Sequence, residues 1–147
     1  MFRWIGLSVL CAISSGCGSD ADVGVKRQQW LKKAPSSYVV GTCTTGFAIG
    51  ACRLYAVQQG VVKAAEVKTP PDLMWKSSND SQEPIARLFD SVERGQSGCK
   101  VSVDFDETFS YPAKVYFDCG QEGSGEEVRC FQADAVDLEV CRAQTVR

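Results

Sequence analysis

This sequence predicts an α+β fold: a mostly antiparallel sheet with one or two helices packed on one face, stabilised by disulfides. Three observations carry that prediction. Several short segments alternate apolar and polar residues with period two, the signature of half-buried strands. One segment places Ile85, Leu88, Phe89 and Val92 at i, i+3, i+4 and i+7, the spacing of a helix with one apolar face. Six cysteines lie downstream of an apolar leader. Strands that run in adjacent groups between helices favour antiparallel pairing over a wound parallel sheet.

Residues 1–16 read as a signal peptide. Arg3 precedes an apolar run from Trp4 to Ile13, followed by Ser14, Ser15 and Gly16 before Cys17. The run is too short to span a bilayer, which takes about 20 residues. Ser15-Gly16-Cys17 resembles the lipobox of bacterial lipoproteins, with Ser14 standing where that motif usually has an aliphatic residue. The resemblance implies that Cys17 is the lipid attachment site, carrying a palmitate-type acyl anchor, and that the protein meets a membrane through it. Residues 17–24 then read as the lipidated Cys and a flexible tether, and 25–147 as a single domain. No Asp immediately follows Cys17, and by the same resemblance this leans toward the outer membrane. The expected location is exported and membrane-anchored on the periplasmic or outer-membrane side, with a soluble secreted protein as the alternative.

In chain order, residues 25–34 predict a short helix with Trp30 and Leu31 as its apolar contacts, ended before Pro35. Strands follow at SYVVGTCTT, ACRLYAV and VVKAAEV, the last two joined by a turn at Gly60. Residues 68–81 are rich in Pro and Ser and read as a loop, with Met74 and Trp75 capping the core. The main helix starts from Ser81 as N-cap with Pro84 in its first turn and stops at Gly95 and Gly98. Glu83–Arg87 and Asp90–Arg94 are spaced as exposed ion pairs along it. A hairpin over 99–119, a glycine-rich turn QEGSGEE, and strands at VRCFQ and AVDLEV complete the order.

Register sorts the cysteines. With the hairpin centred near Phe109, Val103 falls opposite Val115, Val101 opposite Phe117, and Cys99 opposite Cys119, within reach of a bridge. Cys43 and Cys52 flank a segment that Gly46 and Gly50 can reverse. Cys130 and Cys141 pair by elimination, although Val136, Leu138 and Val140 have the opposite strand parity to Cys141. Paired cysteines belong to an oxidising compartment.

Composition excludes several functions. The chain has no histidine, which removes His-based nucleophile activation and His-ligated metals. A formal charge of −2 without a basic cluster gives no footprint for nucleic acid. No cofactor is expected. The carboxylates Asp104, Asp106 and Glu107 are the one set that resembles catalytic or calcium-binding groups. Asp104 and Asp106 stand two apart on a strand, about 6.6 Å by its rise, near the carboxylate separation of an inverting glycosidase. The plainer reading is that they are solvent-facing alternates to Val101, Val103 and Phe105, and the segment lacks the sixth-position Gly and final Glu of a calcium loop. Glu122, Glu126 and Glu127 read as a solvated turn. Tyr55, Tyr111, Tyr116 and Trp75 are candidates for an aromatic patch.

Trp30, the Tyr38-led strand ending at Cys43, the Gly60 hairpin, Ile85-Ala86-Arg87-Leu88-Phe89-Asp90, Tyr111-Pro112, Asp118 and Glu126-Glu127 together resemble a family of small exported bacterial proteins known as a domain of unknown function. The resemblance covers about residues 30–130; Ser110 departs from the family's usual Gly, and the cysteines are additional. It implies an exported α+β domain and supplies no activity. The function expected is a non-enzymatic binding or interaction domain, lipid-anchored in the envelope, with an unknown protein partner as one candidate. The alternatives are a soluble secreted inhibitor-like protein and a carboxylate-based hydrolase.

Overall fold

The computed structural model describes residues 20–46 and 50–145, so the expected signal peptide over 1–16 and the expected lipid attachment at Cys17 lie outside the described residues. Among the described residues run α1 (Asp20–Lys33), β1 (Ser37–Gly46), β2 (Cys52–Gln58), β3 (Val61–Lys68), β4 (Lys76–Ser77), α2 (Pro84–Arg94), β5 (Lys100–Phe105), β6 (Pro112–Asp118), β7 (Gly123–Ala133) and α3 (Glu139–Arg142). The strands form one sheet in the order β4-β3-β2-β1-β7-β6-β5, and each neighbouring pair is antiparallel. Two hairpin-connected groups, β1–β3 and β5–β7, meet along the β1–β7 seam.

Because side chains alternate across a strand, the register sorts the core into two clusters. Tyr38, Val40, Tyr55, Val57 and Val115 join Val23 and Trp30 of α1 and Ile85, Leu88, Phe89 and Val92 of α2. The odd residue of β1 and even residues of β2 (Val39, Leu54, Ala56) join Cys130 and Cys141 in a second cluster, with Trp75 and Leu138 against it. Phe131 is an aromatic hub for the first, stacked on Tyr38 and Tyr111 at ring separations of 5.2 and 4.8 Å.

Several elements differ from their sequence reading. Residues 20–24 are helix, not tether, because Val23, Arg27 and Trp30 form one stripe at i, i+4 and i+7, and Val23 is buried. Leu31 is one residue off that stripe and is 64% exposed. The cap of α2 is Glu83, not Ser81: its carboxylate accepts from the backbone N–H groups of Ile85 and Ala86 at 3.0 and 2.5 Å. The segment AVDLEV is not a strand; α3 forms at its end, and helical spacing brings Leu138 and Cys141, three apart, to the second cluster. This explains the parity conflict at Cys141. The segment QEGSGEE is largely strand β7, not a turn. Finally, the α2 charges pair away from their own helix: Arg27 bridges Asp90 and Glu93 at 2.8 and 2.7 Å, tying α1 to α2.

Disulfides join Cys43 to Cys52, Cys99 to Cys119 and Cys130 to Cys141. The first links β1 to β2 at the end of their ladder. The second closes the open end of the β5–β6 hairpin, where the register does pair Val101 with Phe117 and Val103 with Val115. The third holds α3 to β7. Gly41 makes room for the chain after α3: a Cβ there would lie 2.2 Å from Thr145 Oγ1.

Candidate functional site

Strands β5, β6 and β7 present two different surfaces. Toward α2 they carry Val101, Val103, Val115 and Phe117. On the other side the alternates are Ser102 and Asp104 of β5, Lys114 and Tyr116 of β6, and Gly125 of β7, with Thr45 of β1 beyond it. Register sets Asp104 directly opposite Lys114 and Ser102 opposite Tyr116. Gly125 lies between Tyr116 and Thr45.

The two glycines of β7 shape this surface. A Cβ on Gly123 would fall 2.0 Å from Tyr116 Oη, so the Tyr116 ring occupies the space that a side chain there would fill. A Cβ on Gly125 would meet the Val115 carbonyl at 2.1 Å, so β6 approaches β7 only because that position is bare. The result is a pocket of about 260 Å³ lined by Thr45, Ser102, Asp104, Lys114 and Tyr116. Among the described residues, none of these five side chains makes a hydrogen bond or ion pair. Thr45 Oγ1 is shielded from solvent and has no partner among the described residues. Five polar side chains thus line one pocket with no hydrogen bond to any described residue, Ser102, Asp104 and Lys114 being exposed to solvent.

The groove on the α2 side is different. It encloses about 340 Å³ and is lined by Ser91, Gln96, Phe117, Ser124 and Glu126 among others. Its carboxylate is already engaged. Glu126 Oε1 lies 2.5 Å from Arg87 Nη2 and accepts from Thr42 Oγ1 at 2.6 Å. Arg87 in turn packs over the Tyr55 ring at 5.9 Å. Tyr55 donates to Asp80 at 2.7 Å, and Tyr38 donates to the capping carboxylate of Glu83. Burial pushes the Tyr38 and Tyr55 phenols well above their usual range, reinforced by these carboxylates. Desolvation opposes ionisation of Asp80, but the Tyr55 hydroxyl and the Gln82 amide outweigh it and hold the carboxyl below the usual carboxylate range. This network fastens α2 to the sheet, so Glu126 is structural and not a member of a solvated turn.

Of Asp104, Asp106 and Glu107, the structure brings only Asp104 into this polar pocket. The β5–β6 ladder shifts register after Asp104, and Asp106 Oδ1 accepts from the backbone of Thr108 and Phe109 at 3.0 and 2.6 Å. Asp106 therefore closes the hairpin turn and does not pair with Asp104, and Glu107 is exposed in that turn. Among the described residues, no group of three or more Cys, Asp or Glu is arranged to hold a metal ion. The aromatic patch also dissolves: Tyr55 and Tyr111 are buried, Trp75 packs on the second cluster under Lys68, and Tyr116 alone reaches the pocket. Met74 does not cap the core and is 71% exposed. Thr45, Ser102 and Lys114 belong to no local sequence motif. Cross-strand parity in the 99–119 hairpin was the signal that would have grouped three of the pocket residues around Asp104.

The class these features define is a disulfide-stabilised, mostly antiparallel α+β domain with a polar pocket on one sheet face. The chain belongs to a family of unknown function, DUF6174, whose match covers residues 22–137. No curated protein matches the chain.

Proposed function

We propose that this protein is an exported, lipid-anchored envelope domain that works by binding and not by catalysis. The observation that carries the export reading is sulfur chemistry. Every cysteine of residues 25–147 is taken up in one of three disulfides, as expected where thiols are oxidised and not where they are kept reduced. The leader 1–16 and Cys17 supply the route and the anchor. Among the described residues no helix is long and apolar enough to cross a membrane, so in this reading membrane attachment rests on the acyl chains. Helix α1 begins three residues after Cys17, which holds the folded domain close to the bilayer. Binding is favoured over hydrolysis because, among the described residues, Asp104 is the one carboxylate that lines its pocket, Asp106 being held in the turn.

The test is expression of the full chain in a bacterium that processes lipoproteins, with labelled palmitate, fractionation and intact-mass measurement. The expected product begins at Cys17, carries acyl mass, lacks six hydrogens relative to the reduced chain, and remains with membranes. Cys17→Ser should abolish the label. A processed but unlabelled product in the soluble fraction would favour the secreted alternative. A product beginning at Met1 with free thiols would defeat both.

A further inference from the structure

We propose that the pocket formed by Thr45, Ser102, Asp104, Lys114 and Tyr116 binds a neutral glycan. The inference rests on the reading of this domain as a binding module and adds the chemical class of its ligand.

Charge comes first. The pocket holds one carboxylate and one ammonium, set directly opposite on adjacent strands. Beside Lys114 along the β6–β7 ladder, Glu127 is paired to Arg129 at 2.9 Å, so the next charges cancel as well. An anionic ligand would meet Asp104 and a cationic one would meet Lys114. A neutral ligand meets neither repulsion.

Hydrogen-bonding type comes next. Lys114 only donates, Asp104 only accepts, and the hydroxyls of Thr45, Ser102 and Tyr116 do both. A ligand that engages all five must offer closely spaced groups that donate and accept in turn, which is what the vicinal hydroxyls of a sugar provide. That these side chains bond to nothing within the described residues means no internal bond has to break on binding. The Tyr116 ring adds the remaining element. It lies along the bare β7 backbone at Gly123 and lines the pocket, and the electron-rich face of an aromatic ring attracts the partly positive C–H groups of a sugar ring.

Position argues against an extended peptide. A peptide bound as an added strand needs a free backbone edge. The free edge nearest the pocket is that of β5, which carries Ser102 and Asp104, and it faces away from β6; Lys114 and Tyr116 lie on β6 between β5 and β7, so a strand added to β5 would not lie over them. Recognition is left to side chains. The α2-side groove is a weaker candidate, because its one carboxylate is already bound by Arg87 and Thr42.

The full chain, purified with its disulfides intact, would be applied to immobilised oligomers of glucose, mannose, galactose and N-acetylglucosamine. Polygalacturonate, heparin and unstructured peptides would be run beside them. Retention of at least one neutral glycan is expected, weakened tenfold or more by Asp104→Ala and by Tyr116→Ala. Tyr116→Phe, which keeps the ring, should lose less than Tyr116→Ala. Thermal melts would check that the variants fold. Amide shifts of the unaltered chain on titration with the retained sugar give a measurement that needs no variant, and they should centre on residues 102, 104, 114 and 116. Retention of acidic glycans or peptides alone, no retention of any neutral glycan, shifts centred on Ser91 and Phe117, or undiminished binding by both alanine variants would overturn the proposal. Failed palmitate labelling with sugar binding intact would refute the anchor and leave the pocket standing. Successful labelling with no sugar bound would refute the pocket alone.

Discussion

On the side of the sheet away from α2, strands β1 and β2 and strands β5 and β6 are built from the same alternating backbone and meet opposite fates. Val39, Leu54 and Ala56 are covered by Cys141, Leu138 and Trp75, and two of the three disulfides, both buried, lie in this half. Arg142 reaches across to Glu66 at 2.8 Å, fixing α3 over β3. Strands β5 and β6 carry Ser102, Asp104, Lys114 and Tyr116 on the corresponding face, and the first three are exposed. Their bridge, Cys99–Cys119, sits at an exposed hairpin end. One half of the face stabilises the domain. The other is free to meet a ligand, because the buried side of the same strands already supplies their apolar contacts.

If the two halves divide labour in this way, substitutions should separate sharply. The largest effect is expected from Leu54→Ala, which opens a cavity in the covered half and should cost about 2–5 kcal/mol in denaturant unfolding. Ser102→Ala, on the open half, should stay within about 0.5 kcal/mol. Comparable losses from the two would erase the distinction.

Next is the removal of Cys130–Cys141 by double substitution to Ala, expected to lower stability by about 2–4 kcal/mol. Under mild reductant with alkylation and mass mapping, Cys99 and Cys119 should be labelled before the four buried cysteines. Earlier labelling at Cys141, which is fully buried, would show that α3 opens readily and that the covered half is not the rigid one.

The smallest effect is the pH response of the tyrosines and Asp80 packed on the α2 side. Tyr38, Tyr55 and Tyr111 all have phenols raised by burial, so their contribution is intact at neutral pH and is lost as pH climbs past about 10, where unfolded tyrosines ionise. Asp80 is lowered, so its contribution is present above about pH 3.9 and fades on acidification through that value. Melting temperature followed across both ranges should fall at each end. A flat profile above pH 10 would mean that these phenols are not held in the core.

Much of this architecture is legible along the chain because it depends on local periodicity. The apolar stripe of α2, the turn at Gly60 and the register of the 99–119 hairpin follow from side-chain alternation and turn chemistry that neighbouring residues impose on one another. The cap at Glu83 was harder to read, because Ser81 competes for it by residue type and the choice is made by Tyr38, 45 residues earlier in the chain. The helical start at Asp20 was obscured by small polar residues that favour helix weakly; it forms because Val23 and Trp30 find a core to enter.

By itself, the sequence determined the supply of cysteines, the alternation of the strands and the amphipathic helix, since each is written in neighbouring residues. Only the tertiary structure decided that β7 lies beside β1, that Glu126 is drawn to Arg87 while Asp106 is spent on a turn, and that two glycines leave Tyr116 lying over β7 beside Asp104 and Lys114. Those outcomes depend on which residues distant in the chain come to share a sheet face, and that is set by the packing of the whole domain and not by any local pattern.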